Sequence, residues 1–329
     1  MLSQICGWHG YAEPTFATSA PCIASNCYYL LTQVIYDARV PWCKRYHFIA
    51  DRLRAVKQDL IIQQPSVFES ISILEPMVRF YFLAEYWGKR EDDPTGLKQE
   101  IQQRSEFVPV LNQQQLEECL KYLLSLYDEV GDFFAFPARP QMEALYQLQY
   151  LGETEALRRG VALPQNPSQD LRFALKMSLE WYNKKYSSVI RYSKHLTAFL
   201  RMAFSFNLPK IRRYALEVMN TAYSNKNPNL NSHYPLDHFT KLLNFRNPSE
   251  ASRLCEIYEV MVCKNKVMFL KKKFMAVDFD VDSVLGVDNG DEYVDESLKD
   301  YKLCNLLINY LDDAYTTDLC RDIDALSIC

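Results

Sequence analysis

Apolar residues recur every three or four positions through most of the chain, which is the spacing of an amphipathic α-helix. The pattern is clearest in residues 41–64 and 112–130. The apolar series is Phe48, Ile49, Leu53, Val56 and Leu60 in the first stretch, and Leu116, Leu120, Leu123, Leu124 and Tyr127 in the second. Each series lies on one helical face, so we expect that face to be buried.

Short polar segments rich in Pro, Asn, Asp and Ser separate such stretches and predict a succession of helices. We expect Ser66 to cap the helix at 66–86 and Asn112 to cap the helix at 112–130. Pro76 should kink the helix at 66–86 or split it in two. Residues 89–110 should form a connecting loop. The predicted helices span residues 20–37, 41–64, 66–86, 112–130, 141–151, 153–159, 169–185, 188–206 and 209–224.

The pattern changes towards the C-terminus. Residues 235–245 and 247–258 predict two short helices, the second with Asn247 as its cap and Pro248 in its first turn. Residues 260–270 then predict two short strands around a Lys-Asn-Lys turn. Two helices followed by a hairpin of this size indicate a winged helix.

No internal repeat has a fixed period, so consensus tetratricopeptide repeats are not supported. We therefore predict an all-α fold, an irregular right-handed stack of helical hairpins that a winged helix with a short β-hairpin completes. The predicted boundaries are a loose N-terminal lead at 1–19, the helical stack at 20–230, the winged helix at 231–275, an acidic linker at 276–296 and a C-terminal helix at 297–329.

Charge is distributed unevenly along the chain. The net charge is −4, yet residues 172–277 contain 19 Lys and Arg against 6 Asp and Glu, a local charge of +13. A phosphate backbone bound without base specificity or an acidic protein would fit this surplus, and a merely solvated face is the plain alternative. The residues predicted to form this basic surface are Arg191, Lys194, Arg201, Lys210, Arg212, Arg213, Arg246, Arg253, Lys264, Lys266, Lys271, Lys272 and Lys273.

Signals for catalysis or metal binding are weak. Residues 278–282 begin like a calcium loop, but Ser283 stands where the turn requires Gly, and Asn289 stands where a bidentate Glu is required. The sequence contains no Gly-rich phosphate loop, nucleophile elbow or acid pair at a catalytic spacing. We therefore expect no enzyme activity, no cofactor, no metal and no small-molecule substrate.

The cysteines and the apolar runs of the sequence predict the cellular location of the protein. The ten cysteines form no Cys-x-x-Cys pair or tidy framework, which is typical of free thiols in a reducing compartment. The N-terminal residues lack the basic region and apolar core of a signal peptide, and no run of about 18 apolar residues could span a membrane. We expect an intracellular, soluble protein.

Two stretches resemble a known family. Asp51-Arg52-x-Arg54-Ala55-x-x-x-Asp59 in the second predicted helix is similar to the signature helix of the SAC/GANP family, and Leu111-Asn-x-x-Gln-Leu-x-Glu-Cys-Leu120 resembles its small, shd-type members linked to the centrosome. With the winged helix, the resemblance covers roughly residues 25–275. The Cys-Pro-x-x-Glu stretch that usually opens such proteins is absent from residues 1–19.

The resemblance implies a non-catalytic scaffold of the PCI type, in which a helical stack ends in a winged helix. Its implied partners are a second PCI-domain subunit and the small acidic split-hand/foot-deletion protein, with non-specific RNA or DNA as a further ligand and no membrane. The implied role is in centrosome duplication, spindle assembly and mitotic progression, at the centrosome, spindle and cytoplasm. The alternative is an adaptor for mRNA export or transcription at the nucleus or nuclear envelope. A sequence-specific winged-helix regulator is a third hypothesis, which the long stack disfavours.

Overall fold

The computed structural model describes residues 20–37, 39–88, 107–164, 168–225, 232–270, 292–300 and 306–308. Up to residue 225 the described chain is helical, as predicted. The helices are α1 (Ala20–Thr32), α2 (Trp42–Gln63), α3 (Val67–Gly88), α4 (Pro109–Val130), α5 (Arg139–Gln149), α6 (Thr154–Ala162), α7 (Gln169–Tyr182), α8 (Tyr186–Ser193), α9 (Ala198–Ser205) and α10 (Leu208–Tyr223). Short 3₁₀ turns at Val34–Tyr36 and Phe133–Ala135 follow α1 and α4. The predicted lead at 1–19 lies outside the described residues.

Helix α3 is the centre of the stack. Every side chain from Met77 to Trp87 is buried, because α1, α2, α4 and α9 all pack against this helix. A helix that is buried on all sides needs such an arrangement of neighbours. The buried apolar side chains, from Ile23 to Leu307, form one cluster in the described part of the chain. The described elements therefore share one hydrophobic interior.

The apolar faces predicted for α2 and α4 are confirmed. On α2, Ile49, Leu53, Val56 and Leu60 are buried, and Phe48 is half-buried against the core. The predicted apolar residues of α4 are buried as well: Leu116, Leu120, Leu123, Leu124 and Tyr127. Helical periodicity alone was therefore enough to identify these two packing surfaces.

Helix α3 begins at a capping box, which confirms the role predicted for Ser66. The Ser66 backbone N–H donates to the Glu69 carboxylate at 2.9 Å, and the Glu69 N–H donates to the Ser66 hydroxyl at 3.3 Å. The prediction that Pro76 could split the helix is wrong, since α3 runs through it to Gly88. Packing on four sides holds the segment helical although proline removes one helical hydrogen bond.

The role predicted for Asn112 is also wrong. Helix α4 begins at Pro109, a residue suited to a first helical position, so Asn112 already lies inside the helix. Its buried side-chain amide donates to the Tyr81 carbonyl at 3.0 Å and to the Glu85 carboxylate at 2.8 Å. Asn112 thus joins α4 to α3, and the predicted loop of 89–110 ends earlier than expected.

The helix predicted at 188–206 is two helices, α8 and α9, separated by a turn. The division allows α8 to pack on α7 while α9 lies against α3 and α5. At the turn, the Thr197 hydroxyl donates to the Asp170 carboxylate at 3.2 Å. Contacts distant in sequence therefore set this boundary, and the apolar pattern did not show it.

The winged helix is present as predicted. It contains α11 (Leu236–Leu242), α12 (Pro248–Ile257), β2 (Met261–Cys263) and β3 (Lys266–Met268). The Asn247 side chain caps α12 by accepting from the Glu250 N–H at 2.9 Å. Lys264 and Asn265 have φ values of 49° and 60°, as a tight hairpin turn between β2 and β3 requires.

One strand of this subdomain was not predicted. Strand β1 (His233–Pro235) pairs antiparallel with β3, and the sheet order is β1-β3-β2. The strand has three residues and ends in proline, which is tolerated at a sheet edge but is a poor sequence signal for a strand.

The C-terminal region differs from the prediction. Helix α13 (Glu292–Asp300) begins within the predicted acidic linker of 276–296, whose residues 276–291 lie outside the described part. Helix α13 packs against α9, and both Val294 and Leu307 are fully buried. The predicted helix at 297–329 is described only at 297–300 and 306–308.

Candidate partner-binding surface

A buried arginine attaches the winged helix to the stack. Arg212 of α10 is 2% exposed, and its guanidinium Nε donates to the Leu243 carbonyl at 3.0 Å. It also donates to the Asn244 carbonyl and lies 3.9 Å from the centroid of the Phe245 ring. These contacts hold the turn between α11 and α12 against α10.

Aromatic rings make a second connection to the same helix. Tyr223, the last residue of α10, has its ring centroid 5.6 Å from that of Phe269 and 5.8 Å from that of Tyr234. The Tyr223 carbonyl also accepts from the Ser232 N–H at 3.1 Å. The end of α10 therefore contacts both the entry to the winged helix and the residue that follows β3.

Exposed cations lie on this joined structure. Arg253 on α12, Lys264 in the hairpin turn and Lys266 on β3 are exposed. So are Arg191, Lys194 and Lys210 on or next to α8 and α10, which pack against each other. The structure thus places these six exposed cations on the winged helix and on or next to two helices of the stack, α8 and α10.

Other members of the predicted basic surface have different surroundings. Arg212 is an internal anchor, so its assignment to the surface is wrong. Arg213 and Arg201 are half-buried, and Arg246 forms an ion pair with Asp295. Lys271, Lys272 and Lys273 lie outside the described residues.

The family-signature residues lie on α2. Asp51 and Arg54 are exposed, and Arg52, Ala55 and Asp59 are half-buried. The Arg52 guanidinium lies 5.6 Å from the centroid of the Phe48 ring. Among the described ion pairs, none joins Asp51 to Arg54, although their spacing would allow it.

The same helix meets the second family-like stretch. The Lys57 ammonium donates to Gln115 at 2.7 Å and to the Glu118 carboxylate at 2.5 Å, both on α4. This ion pair lowers the pKa of Glu118, mainly through the hydrogen bond from Lys57. The two stretches that resemble the family are thus in direct contact in the fold.

A cluster of ion pairs between α4, α5 and α6 was not predicted. Glu143 of α5 is fully buried between Arg139 and Arg159, with the Arg159 guanidinium at 2.7 Å. Both arginines also pair with Asp128 of α4, at 3.1 and 2.7 Å. The cluster therefore joins α4, α5 and α6 through ion pairs.

Three cysteine thiols, those of Cys27, Cys119 and Cys255, lie inside the core. Burial raises the pKa of the Cys27, Cys119 and Cys255 thiols to about 12, which keeps them protonated at neutral pH. In the described part of the chain, no cluster of three or more His, Cys, Asp or Glu side chains is placed to hold a metal ion. None of the helices in that part combines the length and apolarity needed to cross a membrane.

The fold and this surface define a protein in which a stack of helices ends in a winged helix. The model of the SAC3/GANP family matches residues 14–264, which is more than half of the chain. The protein therefore belongs to the SAC3/GANP family. The match ends in the β2–β3 turn, so it includes the whole stack and most of the winged helix, and it favours a scaffold role.

Proposed function

We propose that this protein is a non-catalytic scaffold in mRNA export, which holds an anionic ligand and a second protein subunit on one helical platform. Membership of the SAC3/GANP family supports a role of this kind. The observation that carries the proposal is the attachment of the winged helix through buried Arg212, which leaves Arg253, Lys264 and Lys266 exposed.

The proposed ligand of the exposed cations is RNA or DNA, bound through phosphates and without base specificity. Cations on α12 and on the hairpin turn can neutralise phosphates because they are exposed. The proposed protein partners are a second PCI-domain subunit and the small acidic split-hand/foot-deletion protein. Positive surface would also favour the acidic partner.

Oligonucleotide titration with a charge-reversed pair tests the nucleic-acid part of this proposal. We expect R253E/K266E to weaken binding of labelled single- and double-stranded oligonucleotides. If both cations neutralise phosphates, the log–log salt slope should fall by about 0.7–0.9 for each phosphate that the variant no longer neutralises. The matched control is K44E/R54E, which reverses two exposed charges on α2 and changes the net charge equally.

Two results would contradict nucleic-acid binding. One is wild-type binding that is absent or independent of salt. The other is an equal loss of affinity in R253E/K266E and in K44E/R54E, because the whole-protein charge would then explain the effect. The scaffold part is tested separately by affinity purification of a tagged chain, where recovery of neither a PCI-domain subunit nor a small acidic protein would count against it.

A role in centrosome duplication and spindle assembly is a second candidate. It is supported by the resemblance of residues 111–120 to the small, shd-type members of the family. Imaging of a tagged chain through mitosis separates the two roles. Signal at spindle poles would favour the centrosomal role, whereas signal confined to the nuclear envelope would favour mRNA export.

A further inference from the structure

Helix α13 lies next to the proposed basic surface, in a niche formed by Tyr86 of α3, Arg201 of α9 and Arg246. The guanidinium of Arg201 lies 5.0 Å from the centroid of the Tyr293 ring. The Asp295 carboxylate forms an ion pair with Arg246 and accepts a hydrogen bond from the Tyr86 hydroxyl at 2.8 Å. The two arginines were both predicted to face an anionic partner.

The niche is complementary to an acidic helix with an apolar anchor. Val294 is fully buried between the two polar contacts, and α13 packs along α9. Arg246 immediately precedes the cap of α12, so the niche is bordered by α3, α9 and the start of the second winged-helix helix. An aromatic ring, an apolar side chain and a carboxylate at three consecutive positions each find a matching partner there.

We propose that this niche binds acidic helical segments, that α13 is its ligand within the same chain, and that α13 and an external polyanion exclude one another. The helix would then limit access to Arg201 and Arg246. The inference rests on the proposed function only for the identity of the polyanion, since the contacts of α13 do not depend on it.

The contacts are of a kind that a multivalent ligand can displace. An ion pair or a cation–π contact at a partly exposed site changes such an equilibrium by only about two- to fivefold. A polyanion that contacts several cations at once gains more than this. The polyanion must also displace Val294, which is fully buried in the common core, so we expect release of α13 to require contact with several cations at once.

The test compares Y293A/D295N with E296Q, two full-length variants that each neutralise one acid of α13. D295N removes the charge that pairs with Arg246, whereas E296Q removes the charge of the exposed neighbour Glu296 on the same helix. Both change the net charge by the same amount. We expect D295N combined with Y293A to elute from immobilised heparin at higher salt than E296Q, and to bind heparin about two- to fivefold more tightly.

Hydrogen exchange supplies an independent readout of docking. Amides in residues 292–300 should exchange faster in Y293A/D295N than in E296Q, and V294N, which removes the buried anchor without a change of charge, should show the same effect. The proposal is overturned if no variant accelerates this exchange. It is equally overturned if exchange accelerates but heparin affinity stays at the level of the controls.

The test of α13 as a cover and the test of nucleic-acid binding can fail independently of each other. Tighter heparin binding with no oligonucleotide binding would support the cover and contradict the nucleic-acid ligand. Oligonucleotide binding that responds to R253E/K266E but not to release of α13 would support the ligand and contradict the cover.

Discussion

Buried arginines that donate to main-chain carbonyls recur in the described part of the chain. Arg79 donates to Leu307 at 3.1 Å, Arg139 to Tyr127 at 3.0 Å, and Arg212 to Leu243 at 3.0 Å. Tyr127 lies in the last turn of α4, and Leu243 directly follows α11. The C-terminal end of a helix carries partial negative charge, so a guanidinium placed there stabilises it.

Arg212, the buried residue that anchors the winged helix, leads to a prediction about a single side chain. We expect R212L to lower the free energy of unfolding by about 2–4 kcal/mol, because it leaves the carbonyls of Leu243 and Asn244 without their donor. Urea denaturation measures the effect. The control K210L changes an exposed residue of the same helix and should remain within about 0.5 kcal/mol of wild type. Equal losses in the two variants would contradict the anchoring role.

Pairs of helices are joined by polar contacts as well as by apolar packing. Lys57 joins α2 to α4, and Asn112 joins α4 to α3. These residues lie within or beside the stretches that resemble the family. From the residues alone, the signature could be interpreted as an exposed charged face, whereas part of it connects neighbouring helices.

The contact between α2 and α4 predicts a dependence on pH. Hydrogen bonds from Lys57 and Gln114 hold the pKa of Glu118 below its ordinary value of 4.5. Its stabilising contribution is therefore complete above about pH 4.5 and is lost as the pH falls through the lowered folded-state pKa. We expect E118Q to be less stable than wild type at pH 7, with the difference narrowing below pH 4.5.

Urea midpoints measured between pH 7 and pH 3 check this expectation. The control is E129Q, which changes an exposed carboxylate on the same helix. A difference between wild type and E118Q that is constant over this range would show that the ion pair does not contribute.

At the scale of the whole molecule, the winged helix and the stack share one continuous core. Buried residues of the winged helix, among them Phe239, Leu254 and Val267, belong to the same cluster as Leu53 and Leu120 of the stack. The two parts should therefore stabilise each other instead of behaving as separate domains.

We accordingly expect one cooperative unfolding transition. The urea midpoint from far-UV circular dichroism should coincide with that from tryptophan fluorescence, since Trp42, Trp87 and Trp181 are buried in the stack. Pulsed hydrogen exchange of residues 236–268 along the same titration reports on the winged helix. Loss of protection there at lower urea would mean that the winged helix unfolds on its own.

Local signals determined much of this protein. The helical faces of α2 and α4, the caps at Ser66 and Asn247, and the hairpin turn at 264–265 follow from spacing and residue type, because each depends on neighbours within a few positions. The surplus of cations between residues 172 and 277 was likewise visible without coordinates, and several of those cations are exposed.

The tertiary structure decided which side chains are accessible and which helices continue. Arg212 is buried because Leu243, 31 residues away, lies opposite it, and Arg246 is engaged because Asp295, 49 residues away, returns to it. Pro76 stays within a helix because packing outweighs its local cost, and β1 exists because β3 pairs with it. These outcomes depend on contacts between distant segments, and local periodicity contains no information on such contacts.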